Sequence, residues 1–63
     1  MRLTDFWARM ESAFGVAYAR SVAADFRLPA LGVTVDEAIR RGEDTKVIWR
    51  AVCDAFDLPA AVR

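Results

Sequence analysis

The sequence has no histidine, one cysteine, three glycines and two prolines, and its nine basic residues balance nine acidic ones. Each shortage excludes something. Without histidine the chain lacks the usual general base near neutral pH and the commonest metal ligand. Cys53 alone cannot form an internal disulfide or build a thiolate zinc site. Gly15, Gly32 and Gly42 are isolated, so there is no glycine-rich phosphate loop. A formal net charge of zero gives no overall basic excess of the kind that dedicated nucleic-acid or anionic-membrane binders carry. No apolar run approaches the roughly 18–20 residues that a membrane helix needs. The lone cysteine and the lack of a signal peptide point to the cytoplasm. The chain starts at Met1 and is expected to be complete.

What is present is apolar and aromatic. Hydrophobic residues make up 56% of the 63, enough to attempt a core despite the short length. Phe6, Trp7, Phe14, Tyr18, Phe26, Trp49 and Phe56 are spread along the chain. Large rings bury much area per residue, which is how a short chain folds without disulfides or metals. At roughly 0.05–0.15 kcal/mol per residue the total stability is only about 3–9 kcal/mol. The expected organisation is one small helical domain over residues 1–63.

The periodicity predicts an all-α, compact bundle of about four short helices and no strand. Thr4 is a good N-cap for the first helix, whose stripe is Leu3, Phe6, Trp7, Met10 and Phe14. Asp5 and Arg9 are four apart in the favourable order. Gly15 is expected to separate this helix from a second one, which carries Tyr18, Val22 and Phe26 inward beside Ala19 and Ala23. One kinked helix through Gly15 is the competing reading. However, steps of four from Met10 to Phe26 drift by about 40° each around a straight helix. Leu28 to Val33 then forms a connector that Pro29 and Gly32 keep out of helix, with its leucines plugging the core.

Thr34 and Glu37 have capping-box spacing, so a third helix should begin at Val35. Asp36–Arg40 and Glu37–Arg41 are spaced as i,i+4 pairs. Gly42 can stop that helix in a left-handed turn, and Asp44 can cap a fourth helix through Ile48, Val52 and Phe56. In this last helix Lys46, Arg50, Asp54 and Asp57 form one narrow polar strip, and nearly everything else is apolar. Such a helix is central in a bundle or half-buried in a partner. Leu58-Pro59 ends it, and Ala60 to Arg63 is expected to fray. The expected core is Phe6, Trp7, Met10, Phe14, Tyr18, Val22, Phe26, Leu31, Val35, Ile39, Ile48, Val52 and Phe56.

Three chemistries can be weighed on these elements. The carboxylate pairs Asp36/Glu37 and Glu43/Asp44 sit where helix starts favour acid, so capping accounts for them better than catalysis. No enzymatic activity, cofactor or metal is expected. Cys53 follows Trp49 by one turn on an apolar helix, with no basic neighbour on its own face, and reads as a packing residue. The C-terminal half is helix-turn-helix-like. Ala38, Gly42 and Ile48 fit that pattern, whereas Glu37, Arg41 and Glu43 occupy positions that want apolar residues. In a DNA-binding reading Arg40, Arg41, Lys46 and Arg50 would contact phosphates, opposed by Asp44, Asp54 and Asp57. The other reading is a protein-interaction or regulatory module. It rests on the surplus of aromatics and predicts an exposed apolar patch involving Trp7 or Trp49, the candidate partner-binding residues; a fold that covers both indoles fully counts against it. The partner is an unidentified protein or a second copy of the chain, and no membrane is involved.

The run from Met1 to Met10, the pairs Phe14-Gly15 and Tyr18-Ala19, the Thr34 to Ala38 segment, and Trp49-Arg50-Ala51-Val52-Cys53 with Leu58-Pro59 after it carry a resemblance. Over essentially its whole length the chain resembles a family of short single-domain actinobacterial proteins of unknown function, often encoded beside the recombinase RecA. The resemblance implies no catalytic residues and no established activity, and its gene neighbourhood implies a link to recombination or repair. The family is expected to carry a histidine where this chain has Phe26, so no function of that imidazole carries over. The connector before Thr34 is also about one residue shorter than the family pattern.

Overall fold

The computed structural model describes residues 1–63. Four α-helices follow one another: α1 over Leu3–Phe14, α2 over Val16–Asp25, α3 over Val35–Arg40 and α4 over Thr45–Phe56. Between α2 and α3 lie two short strands, β1 over Arg27–Leu28 and β2 over Val33–Thr34. A 3-10 turn over Ala60–Val62 closes the chain. The radius of gyration is 10.3 Å, against about 11 Å for a compact chain of this length.

The two strands correct the all-helical expectation. β1 and β2 pair antiparallel, with Arg27 opposite Thr34 and Leu28 opposite Val33. The cause is turn chemistry. The Leu28 carbonyl accepts from Leu31 and Gly32 nitrogens at 3.1 and 2.7 Å. Pro29 thus stands at the second position of a tight turn, where its fixed φ is favoured, and Gly32 has φ of 72°. Arg27 adds a cross-hairpin bond to the Gly32 carbonyl at 3.2 Å. Leu28 is buried against the helices, as a plugging leucine should be, and Leu31 is half-buried.

Gly15 does separate α1 from α2, with φ of 83°. The first helix, however, begins at Leu3 rather than after Thr4. Arg2 is its N-cap, with no side-chain cap bond. Backbone bonding begins one turn earlier because the Arg2 carbonyl takes the Phe6 N–H at 2.9 Å. The inward face of α2 is Ala19, Val22 and Ala23. Tyr18 is 59% exposed, against the expectation that it is core. It lies at the edge of that face, where its ring meets Phe14 edge-on at 5.9 Å and its hydroxyl keeps access to water. Phe14, Phe26, Leu31, Ile39 and Phe56 are half-buried around the core, and Phe56 contacts both Phe14 and Phe26 at ring distances of 5.0 and 4.6 Å.

Helix α3 starts as its sequence predicts, with the Thr34 hydroxyl accepting from the Glu37 N–H at 3.2 Å. The capping box is one-sided, because the Glu37 carboxylate turns to Arg40 at 2.8 Å. This i,i+3 pair replaces both expected i,i+4 pairs, and Asp5 and Arg9 form no ion pair either. The Arg40 guanidinium holds the Glu37 carboxyl below its ordinary range. Helix α3 ends in a Schellman motif. The Glu43 N–H reaches the Ala38 carbonyl and the Gly42 N–H reaches that of Ile39, each at 3.0 Å. Gly42 has φ of 79°. Asp44 then caps α4 by accepting from the Lys46 N–H at 3.0 Å.

Nothing lies within 4 Å of a Cβ placed on Gly42. The demand there is therefore on backbone conformation and not on space. Replacing Gly42 with Val should destabilise the protein by over ~1 kcal/mol, with Gly42→Asn costing less. Thermal melting of the two variants tests this, and an unchanged midpoint for Gly42→Val would refute the turn assignment.

Candidate functional site: a charged groove between the first and last helices

Helices α1 and α4 run side by side in the same direction. The Thr45 hydroxyl at the start of α4 donates to the Met1 carbonyl. At the other end Arg9 donates to the Arg63 carbonyl at 3.0 Å. The packing between the two helices is apolar. Phe6 is fully buried and meets the Trp49 ring edge-on at 6.1 Å. Above that contact the polar edges of the helices diverge and leave an open groove of about 830 Å3. On α1 its wall is Asp5, Ala8 and Arg9, and on α4 it is Lys46, Trp49, Arg50, Cys53 and Asp54. Positions 46, 49, 50, 53 and 54 are spaced as one helical face, so α4 presents them together.

The residues expected to act through exposure are placed differently. Trp49 is only 3% exposed and belongs to the core, although it lines the groove. The apolar arc of α4 is wide enough to take Ile48, Trp49, Ala51, Val52 and Cys53 out of water. Its indole Nε1 is the single buried side-chain nitrogen or oxygen with no hydrogen-bond partner. A buried donor without an acceptor costs about 1–3 kcal/mol. Trp7 is half-buried, edge-on to Phe6 at 5.5 Å, and the Arg20 guanidinium covers its face at 4.2 Å. Trp49 therefore forms no exposed patch, and Trp7 is covered in part.

Of the four residues named for phosphate contact, Lys46 and Arg50 come together in the groove. Arg40 is tied to Glu37, and neither it nor Arg41 lines the groove.

The tail is held rather than frayed. Arg63 donates from Nε to the Leu58 carbonyl at 2.9 Å, and from one terminal nitrogen to the Asp54 carboxylate at 2.8 Å. Its other terminal nitrogen reaches the Cys53 carbonyl at 3.3 Å. Of these acceptors the Cys53 carbonyl is one of the last in α4, which lack helical partners, while Leu58 lies just past the helix and Asp54 offers its side chain. Asp57, with φ of 51°, makes the left-handed turn there. The Leu58 N–H closes a second Schellman motif onto the Cys53 carbonyl at 2.9 Å. Nothing in the pattern of apolar residues signalled Arg63. The only available signal was an arginine a few residues beyond a helix end, where cations find carbonyls.

Arg63 also changes the setting of Cys53. The tail brings a cation near the thiol from outside its own helix face. Burial nevertheless dominates and pushes its pKa up, opposed by the charges of Arg63 and Arg9. The sulfur is therefore a neutral packing thiol and a poor nucleophile.

The class of protein is now defined: a compact, mostly helical fold of four helices, with a two-stranded hairpin and a charged groove. The chain belongs to the protein family of unknown function DUF3046, whose model matches residues 1–61. No curated protein and no solved structure matches it significantly. No helix is long and apolar enough to cross a membrane.

Two outcomes follow for Cys53. A thiol probe should modify it at least about tenfold more slowly in the folded protein than in denaturant, and Arg63→Ala should narrow that gap. Equal rates in the folded and denatured chain would sink the packing assignment. The raised pKa also has a sign. The unfolded thiol ionises first, so its contribution to stability is present below about pH 8.5 and lost as pH rises towards the folded value. Denaturation midpoints followed from about pH 8 to 9.5 should fall more steeply for the wild type than for Cys53→Ala. Parallel curves would refute the shift.

Proposed function

We propose that this protein is a non-catalytic protein-interaction or regulatory module acting in the cytoplasm, with the α1–α4 groove as its docking surface. The observation that carries the reading is the groove itself. It sets charged side chains around the edge of a buried tryptophan. Its lining is mostly charged, with Met1, Ala8, Trp49 and Cys53 as the apolar part, so its polar groups set what it can hold. Catalysis has little support in the same place. The carboxylates Asp5 and Asp54 face cations, Asp54 is held by Arg63, and the nearby thiol is neutral.

The DNA-binding helix-turn-helix, with its link to recombination or repair, is the second reading. Lys46 and Arg50 side by side on the helix that follows the Gly42 turn favour it. Against it, the first helix of that unit has only six residues, and Arg40 is engaged elsewhere. The start of α4, which would enter a DNA groove, is bonded to Met1.

Blocking the groove with bulk tests the module without altering charge. Ala8 is exposed on α1 and lines the groove, whereas Ala24 is exposed on α2 away from it. Native-host lysate treated with nuclease should yield proteins retained by the wild type and by Ala24→Trp but lost by Ala8→Trp. Identical retention by all three would overturn the docking site, and retention that vanishes with nuclease would promote the DNA reading.

A further inference from the structure

The groove's charge names the chemistry of its occupant. Four cations line it, Arg9, Lys46, Arg50 and Arg63, against the two carboxylates Asp5 and Asp54. Asp54 is satisfied by Arg63. Arg9, Lys46 and Arg50 then share the groove with one further carboxylate, Asp5, on a chain whose charges sum to zero. Lys46 and Arg50 have no ion-pair partner, and Arg9 bonds only the Arg63 carbonyl. A carboxylate is acceptor-only and complements such a set. The apolar part of the lining, Met1, Ala8, Trp49 and Cys53, lies among these cations, and Met1 is 43% exposed.

We infer that the groove docks an acidic, amphipathic segment of a partner protein. Its carboxylates sit against Lys46, Arg50 and Arg9, and its apolar side chains sit on Met1 and Ala8. This rests on the module reading above and names its partner chemistry. A nucleic-acid backbone fits less well, because its charges continue past the groove. Along α4 they would meet Asp44 at one end and Asp57 at the other, both outside the groove lining. A carboxylate-bearing segment need place charge only where the cations stand. Complementarity of this kind sets specificity and association rate more than raw affinity.

The test uses the whole chain and a fluorescein-labelled helical peptide of about three turns, glutamate on one face and leucine on the other. A second peptide has glutamine for glutamate, and a duplex DNA oligonucleotide is the third probe. The acidic peptide should bind the wild type, and Lys46→Glu with Arg50→Glu should weaken it by about tenfold or more. Arg40→Glu with Arg41→Glu makes the same change of charge off the groove and should leave binding intact. Weakening should also follow glutamine substitution and added salt. Because Lys46 and Arg50 are exposed, circular dichroism of both double variants should match the wild type. Absent binding, equal loss in both double variants, or tighter binding of DNA through Lys46 and Arg50 would each overturn the inference. If proteins captured in the lysate are lost with Ala8→Trp yet kept with the Lys46 and Arg50 reversal, the docking module survives and the acidic partner fails.

Discussion

Phe6 is the residue on which the rest of the structure leans. It is wholly out of water, with the edge of Trp7 at 5.5 Å on its own helix and that of Trp49 at 6.1 Å across the helix interface. Edge-to-face rings of this kind contribute about 0.5–1.5 kcal/mol beyond the area they bury. In a chain worth only several kcal/mol in total that is a large share. The contact also fixes geometry. It holds α1 beside α4 in parallel, which brings Met1 to Thr45 at one end and Arg9 to Arg63 at the other. The groove exists because the buried rings bring the two helices together while their polar edges stand apart.

The helix ends do for the backbone what Phe6 does for the core. A 63-residue chain with several short helices has many orphan amides and carbonyls for its size. Thr34 and Asp44 each satisfy one donor at a helix start. Schellman turns at Gly42 and Asp57 satisfy carbonyls at the ends of α3 and α4. Arg63 takes the remaining load at the end of α4, bonding the Cys53 and Leu58 carbonyls. The core can then be purely apolar, and no polar or charged residue is buried in it. The exception is one atom, the Trp49 indole nitrogen, and it belongs to a residue that lines the groove.

Local signals were legible from residues alone where a single residue type forces one backbone state. Gly15 marks the break between α1 and α2, Thr34 the start of α3, Gly42 its end and Asp44 the start of α4, because left-handed turns and N-caps have few alternatives. The apolar stripe of α4 likewise marked it as central. The hairpin is not legible in the sequence although Pro29 and Gly32 both break helix, because two-residue strands carry no periodicity. Tyr18 and Trp49 were exchanged for a related reason. Spacing says which residues share a face but not where that face ends, and both rings stand at the margins of their stripes. Packing decided each case: Ala19 and Ala23 let α2 approach closely and left Tyr18 outside, while Phe6 drew Trp49 in.

The groove could not be read from either helix separately, since it is made of one edge from each. Lys46 and Arg50 were visible as cations on a polar strip, yet their company was not. Arg9 and Arg63 are far apart in sequence and meet that strip only in the fold, Arg63 through Asp54 at 2.8 Å and Arg9 through its 3.0 Å bond to the Arg63 carbonyl. This also resolves what a zero net charge means here. Neutrality is a sum over the chain and says nothing about arrangement. Glu37 is neutralised locally by Arg40 and Asp54 by Arg63, which withdraws two acids and two bases from long-range attraction. The charges that remain unpaired are unevenly placed, with Arg9, Lys46 and Arg50 along one groove. A ligand approaching the protein meets that local field within a Debye length of about 8–10 Å, not the average over the molecule.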